Sequence, residues 1–410
     1  MGHVEDRWYK TVKRPDGTRQ RVKSVRFGTG MRYRVRYIAP DGRERSESFP
    51  DRAKRAAEAF LSSVESDMHR GTFIDPVAAQ TPFDGFAEAW LRTHRVDEST
   101  RQSAEVRVRK HIIPFFGSRP ISVIKPSTVR EWESSLVGVL AVSSRAVAFA
   151  YLSSILTAAV DDGLIARNPC SAKSVIKPQP TPRKVVPWKI ETIAAIRAGL
   201  PPRYRSMVDI GGGCGPRQGE IFGLSLDDFD FDRGWLNIRR QVKRIRSRPV
   251  YGLPKNDKER QTPLPESVAR AVKAHLEQFP AVPVTLPWED PSSGELVTVQ
   301  LVFTSLRGSA LNRTDFNNRS WHPALVGAGI EPTRATGMHA LRHFFASALL
   351  DAGESIKAIA EWLGHSDPAF TLRVYTHLMQ SSQGRARRAI DDLFTGPNGF
   401  DGPETAPTDG

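Results

Sequence analysis

His339-Ala340-Leu341-Arg342-His343, followed by Leu363-Gly364-His365 and Val374-Tyr375-Thr376-His377, holds four of the ten histidines of this 410-residue chain. On a helix His339, Arg342 and His343 share one face, because they stand three and four positions apart. Three chemistries compete for such a cluster. A metal site would use the histidines at i and i+4, but the glutamate of a zinc-protease helix is missing, and neither Cys170 nor Cys214 lies close in sequence. A phosphate site would set arginine forks and histidine donors around one anion, with an activated hydroxyl such as that of Tyr375 beside it. In the plainest alternative, each histidine is satisfied within a core.

Upstream stands Gly211-Gly212-Gly213-Cys214-Gly215-Pro216-Arg217-Gln218-Gly219-Glu220. The glycine run lacks the Gly-Lys-Ser/Thr ending of a nucleotide-binding loop. Pro216 suits the first turn of a helix, which puts Arg217 near a helix N-terminus, a place that attracts anions. Arg217 could equally be the ordinary partner of Glu220 one turn on. Between these motifs, residues 235–242 alternate as a strand, Pro254 to Arg260 reads as a turn, and Thr262 to Pro265 as the return, so this region mixes helices with one hairpin. The run from Arg239 to Arg248 has six Lys/Arg and no acid. Such a run tracks a nucleic-acid backbone, with Arg239, Arg240, Lys243 and Arg244 as contact candidates.

The whole chain has 59 Lys/Arg against 45 Asp/Glu, a net charge of +14. That excess points to a polyanionic partner, with nucleic acid first and an anionic membrane surface second. It is uneven: the first 50 residues carry 13 Lys/Arg against 6 Asp/Glu. There, Met31-Arg32-Tyr33-Arg34-Val35-Arg36-Tyr37-Ile38 alternates as a half-buried strand, giving Arg32, Arg34 and Arg36 as candidates for DNA contact, or else a solvated sheet face. Asp51 is the expected cap of a helix running to about His69. From Phe83 the period becomes helical, with Ser143 as the cap candidate of a long apolar helix. Lys177-Pro178-Gln179-Pro180-Thr181-Pro182 reads as an extended linker. The start has no signal peptide, no run of about 18 uninterrupted apolar residues occurs, and two cysteines make no disulfide framework, which together imply a reducing cytosol.

Taken together, Gly-x-Arg-x-Gly-Glu, His-x-Leu-Arg-His, Leu-Gly-His and Tyr-Thr-His, in this order and spacing, resemble the catalytic domain of the tyrosine recombinases (phage-type integrases). The start Asp6-Arg7-Trp8-Tyr9-Lys10 is similar to integrases of actinobacterial mobile elements. The resemblance implies a multidomain α+β chain. Residues 1–75 would form a small β-sheet arm-type DNA-binding domain with a helix, 81–172 an all-helical core-binding domain, 173–187 a linker, 188–394 a mainly helical catalytic domain with a β-hairpin, and 395–410 a disordered tail. It also implies a site-specific recombinase that integrates and excises a phage or other mobile element, without metal or nucleotide cofactor. Tyr375 would be the nucleophile, Arg217 and Arg342 the phosphate clamp, His339 the proton acceptor and His365 a donor to the phosphate. Lys255 would be the leaving-group acid, with Lys258 its rival. Glu220 would orient its neighbours, and His343 and His377 would belong to packing or support. Implied partners are double-stranded attachment-site DNA, sister subunits in a tetramer, and a directionality factor or a host DNA-bending protein; a C-terminal helix within 381–394 would dock on a neighbouring subunit or else close as a lid on its own. The competing readings are a catalytically silent DNA-binding regulator of the same fold and a topoisomerase of the same chemistry.

Overall fold

Tyr33, Val35 and Tyr37 alternate with Arg34 and Arg36 along a strand whose odd positions are buried and even positions open. In the computed structural model, which describes residues 2–365 except 16, 41, 71–72, 76, 182–185 and 256, together with 387, 390, 391 and 394, this strand is the centre of a small sheet. The chain divides at Thr181/Pro182 into two compact units. In the first, β1 (His3–Asp6), β2 (Tyr9–Lys13), β3 (Arg19–Lys23), β4 (Tyr33–Ile38) and β5 (Glu44–Phe49) precede α1 (Lys54–His69). The antiparallel sheet runs β1-β4-β5, while β2 and β3 pair only with each other as a separate ribbon. The tyrosine face of β4 packs on Ala57, Phe60, Leu61 and Val64 of α1.

The helical part of this unit comprises α2 (Phe83–Thr93), α3 (Glu98–Arg107), α4 (Ile113–Phe116), α5 (Pro126–Ser135) and α6 (Val142–Asp161). Its core joins Phe83, Leu91, Phe116, Trp132, Leu152 and Ile155, and Trp132 Nε1 donates to His111 O at 2.7 Å. By length and composition α6 is apolar enough to cross a membrane, with a mean hydropathy of 1.3. Polar residues such as Ser153 and Thr157 interrupt it, and its Phe149, Leu152, Ile155 and Leu156 form the spine of the core.

The second unit contains α7 (Ile190–Gly199), α8 (Ser206–Cys214), α9 (Gln218–Phe222), β6 (Phe229–Asp230), β7 (Trp235–Ile238), β8 (Gln241–Ile245), β9 (Arg248–Gly252), β10 (Arg260–Pro263) and α10 (Glu266–Gln278). It continues with β11 (Val282–Pro287), β12 (Leu296–Leu301), α11 (Arg313–Phe316), α12 (His322–Gly327), α13 (His339–Asp351) and α14 (Ile356–Leu363). A three-stranded antiparallel sheet, β10-β7-β6, lies at its centre. The glycine run is a packing device. A Cβ on Gly211 would stand 2.8 Å from Leu341 Cδ1, and one on Gly215 would stand 2.5 Å from Phe345 Cδ1, so α13 can lie close against α8.

Four local expectations are corrected. The strand read over 235–242 is two, β7 and β8, broken at Arg239-Arg240, where Arg240 turns inward to Asp228 at 2.7 Å. The single hairpin is joined by two further ribbons, β8–β9 and β11–β12. Asp51 does not cap α1. It accepts from Arg52 N and pairs with Arg32 at 2.9 Å, and the helix begins three residues later, at Lys54. Ser143 lies inside α6, whose N-cap is Ala141, with no side-chain cap.

Candidate active site

Gly215 ends α8 in the left-handed conformation (φ 73°), the shape that lets the chain turn sharply, and Pro216 leads directly into α9. Arg217 is the N-cap of α9 rather than a residue of its first turn. Its backbone N–H donates to Glu220 Oε2 at 2.7 Å and its Nη1 to Glu220 Oε1 at 2.9 Å. Glu220 is fully buried, and a second guanidinium shares it. Arg260, the first residue of β10, donates from Nη1 to Oε1 at 3.0 Å and from Nη2 to Oε2 at 2.6 Å. This parallel fork is the strong geometry for an arginine–carboxylate pair. Arg260 Nε then donates to Trp362 O at 2.8 Å, at the end of α14.

From that end the network passes to Arg342, which is buried at 2% exposure on α13. Arg342 Nη2 donates to Leu363 O and lies 3.0 Å from His365 Nε2, while Nη1 donates to Gly215 O at 2.9 Å. A guanidinium can only donate, so His365 Nε2 accepts and its ring proton sits on Nδ1. The circuit closes through Gly215-Pro216 to Arg217: three arginines, one glutamate and the 362–365 turn hold one another in place.

Charge follows from this geometry. Burial opposes ionisation of Glu220, but the Arg260 fork, the Arg217 guanidinium and the Arg217 backbone N–H outweigh it and hold the carboxyl at about 2. Burial, then the positive fields of His343, Arg342, Arg217 and His365, lower His339 to about 3. His339 is nonetheless an exposed residue, which weakens the burial contribution and leaves the Arg342 and Arg217 guanidinium groups as the firmer reason. Burial, Arg342, Arg217 and Arg260 bring His365 to about 4, and burial with Arg342 brings His343 to about 4. The His339 and His343 rings meet edge to face at 4.7 Å. At neutral pH the cluster thus holds three cations, one anion and neutral imidazoles, a surplus of positive charge suited to an anionic ligand.

Of the residues expected from the sequence, Arg217, Arg342 and His365 are joined in one hydrogen-bonded network, with His339 beside them on α13. Lys255 stands on an exposed turn in which Asp257 N donates to Pro254 O at 3.0 Å, and Lys258 is exposed just beyond. Tyr375 and His377 lie outside the described residues, as does most of the expected C-terminal helix and all of the tail. Arg260 was missed by sequence reasoning. Its signal was period 2: Arg260 and the buried Thr262 share a strand face, though Arg260 reads as the last residue of the turn. Among the described residues no cluster of three or more His, Cys, Asp or Glu is placed to hold a metal ion.

The candidate DNA contacts divide. Arg239 and Arg244 are exposed, Lys243 is half-buried on β8, and the β8–β9 tip turns through Arg246 and Ser247, both with positive φ. Arg240 is committed to Asp228, Gly223 O and Ser225, which removes it from the basic stripe. Arg32 precedes β4 and is held by Asp6 at 3.1 Å and Asp51 at 2.9 Å. Arg34 donates to Ser46 Oγ at 2.9 Å, and Arg36 meets Glu5 at 3.4 Å and Glu44 at 3.2 Å.

Known proteins resemble both units. Residues 188–382 match the phage integrase family, and residues 83–137 match the phage integrase N-terminal SAM-like domain. A putative prophage phiRv2 integrase of Mycobacterium tuberculosis is 27% identical over 390 residues, covering 90% of this chain and 95% of its own. Tyrosine recombinase XerD of Pseudomonas aeruginosa is 31% identical over 244 residues, covering 57% of this chain and 67% of its own. Among solved structures, the Tn1549 transposon integrase in complex with transposon right end DNA aligns with a TM-score of 0.62 at 20% identity, over 76% of this chain and 100% of that one.

Proposed function

The chain belongs to the phage integrase family of tyrosine recombinases, and on that premise we propose that it integrates and excises a mobile element by cutting and rejoining DNA through Tyr375. The observation that carries this reading is the ring Arg217–Glu220–Arg260–(362–365)–Arg342, in which three guanidinium groups share one carboxylate and so leave a surplus of positive charge. A phosphodiester brings one negative charge, and the phosphorane formed when Tyr375 attacks brings more. Guanidinium groups fixed before DNA arrives stabilise that added charge without reorganising at the moment of reaction.

Tyr375 Oη attacks the scissile phosphorus while its proton passes to a base. His339, neutral at neutral pH and beside Arg342 on α13, is the group assigned to accept it. The 3′-phosphate becomes bonded to tyrosine, and the 5′-oxygen leaves with a proton supplied by Lys255. His365, Arg217 and Arg342 hold the two non-bridging oxygens, His365 as a hydrogen-bond donor and the arginines as the clamp. Rejoining reverses each step with the 5′-hydroxyl of another strand, so bond energy is conserved in the phosphotyrosine. Duplex attachment-site DNA is the substrate, and four subunits assemble on it through a C-terminal segment within 381–394. A directionality factor or a host DNA-bending protein is the accessory partner of this scheme.

The test is a suicide duplex nicked beside the cleavage point, taken from the DNA flanking the gene and run in EDTA. Covalent protein–DNA adduct is expected with the natural chain and none with Tyr375→Phe, which keeps the ring and loses the reacting oxygen. Binding without adduct by the natural chain would mark a silent DNA-binding regulator. Adduct and relaxation without recombinant joints would mark a topoisomerase.

A further inference from the structure

The arm's charge lies on one element. From Tyr9 to Ser24 there are six Lys/Arg and a single acid, Asp16, whereas the other residues of the first fifty carry seven Lys/Arg and five acids. The β2–β3 ribbon therefore owns most of the excess, although the sequence pattern had pointed to the arginines at and beside β4. Two of those arginines are paired with carboxylates, Arg32 with Asp6 and Asp51 and Arg36 with Glu5 and Glu44, while Arg34 donates to Ser46 Oγ. On the ribbon only Arg21 meets a carboxylate among the described residues, that of Asp6, while Lys10, Lys13, Arg19 and Lys23 are exposed.

The register sorts these cations onto one face. Tyr9 pairs with Lys23, Thr11 with Arg21, and Lys13 with Arg19, so Lys13, Arg19, Arg21 and Lys23 stand together on the Tyr9 side. Aromatic rings carry two of them. The Arg21 guanidinium lies 4.3 Å from the Tyr9 ring, and Lys23 Nζ lies 4.0 Å from the Phe27 ring. The root is fixed: Ser24 N donates to Trp8 O at 2.8 Å, Arg7 N to Arg32 O at 2.8 Å, and Trp8 Nε1 to Thr29 O at 3.2 Å, while Phe27 packs on Trp8 and Tyr9. Five residues per strand make a ribbon roughly 17 Å long. A two-stranded ribbon is a shape that a B-DNA major groove, about 12 Å wide, admits.

We propose that the β2–β3 ribbon, rather than the arginine face of β4, is the surface by which the arm holds duplex DNA, with Lys13, Arg19 and Lys23 on phosphates. This rests on the recombinase reading only for the purpose of the contact; the contact itself is tested without it. The full-length chain is titrated with a short mixed-sequence duplex at several KCl concentrations, comparing K13Q/R19Q/K23Q with R34Q/R36Q. Three lost phosphate contacts should flatten the slope of log K against log salt by roughly 2.7, while R34Q/R36Q should change it by less than about 0.5. K13R/R19K/K23R should restore the slope, and an unchanged melting temperature separates lost contacts from lost fold. If R34Q/R36Q moves the slope and the ribbon variant does not, or if neither moves it, the proposal is overturned. Covalent adduct on the suicide duplex is measured in parallel. Its absence from the natural chain would remove the recombinase reading and leave the salt slopes to decide the ribbon.

Discussion

Arg260 is the residue on which the candidate site turns, because from the start of β10 it joins two of its parts, Glu220 and the carbonyl of Trp362. Arg260→Ala leaves the buried Glu220 carboxylate to Arg217 alone, and losing the fork costs up to about 3–5 kcal/mol. Adding Glu220→Gln should recover much of the lost melting temperature, since it removes the under-compensated charge; a double variant no more stable than Arg260→Ala would show that the pair is not coupled. Lys255 calls for a different measurement, since the structure leaves it on an open turn. Lys255→Ala should slow cleavage of ordinary DNA by roughly a hundredfold to ten-thousandfold. With sulfur at the 5′-bridging position the leaving group needs no acid, so the same variant should cleave at nearly the natural rate. Rescue of Lys258→Ala instead would move the acid three residues along the turn. Arg342→Ala should stay slow on both substrates, because charge on the phosphorane develops whichever group departs.

At the scale of elements, sequence and structure part for identifiable reasons. Helical spacing from Phe83 and the motif helix from His339 were legible because a burial pattern of 3.6 survives in any environment. Caps were less legible. Asp51 had a competing partner in Arg32, and two residues suited to a cap, Ser143 and Asp51, ended up elsewhere. The β8–β9 ribbon was missed because its turn uses non-glycine residues at positive φ, Arg246 and Ser247, which carry no glycine signal; the β11–β12 ribbon was missed although Asp290-Pro291-Ser292-Ser293-Gly294 between its strands does read as a turn. The glycine run was visible as unusual, but its purpose, the close approach of α13, depends on residues more than a hundred positions away. Gly215→Ala should test it. The left-handed backbone alone costs about 1–2 kcal/mol, and the clash with Phe345 adds to it. A lower melting temperature is expected, with a larger proportional loss of adduct formation, because Gly215 O also holds Arg342. Full stability in this variant would mean that the turn tolerates a side chain.

Over the whole molecule, the depressed histidines make stability depend on acidity in a definite direction. Unfolded imidazoles take up protons near 6.5, whereas His339 does so only near 3, and His343 and His365 near 4. Between those values the unfolded chain binds more protons, so stability present above about pH 6.5 is lost as the pH falls toward 4. The melting temperature should therefore decline from pH 7 to pH 5. Replacing His343 by Gln should reduce that decline, and an unchanged profile would mean that this histidine is protonated in the folded chain.

The positive surplus of the closed arginine ring should also draw small anions to the resting protein. Inorganic phosphate or sulfate carries the charge and the oxygens that the ring is arranged to receive, so an ordinary laboratory buffer becomes a competitor of DNA. By mass action a ligand of the folded state raises thermal stability. The chain should thus look most robust in phosphate and work fastest in a buffer without it, and a buffer chosen by melting temperature alone would be the one that hides the enzyme.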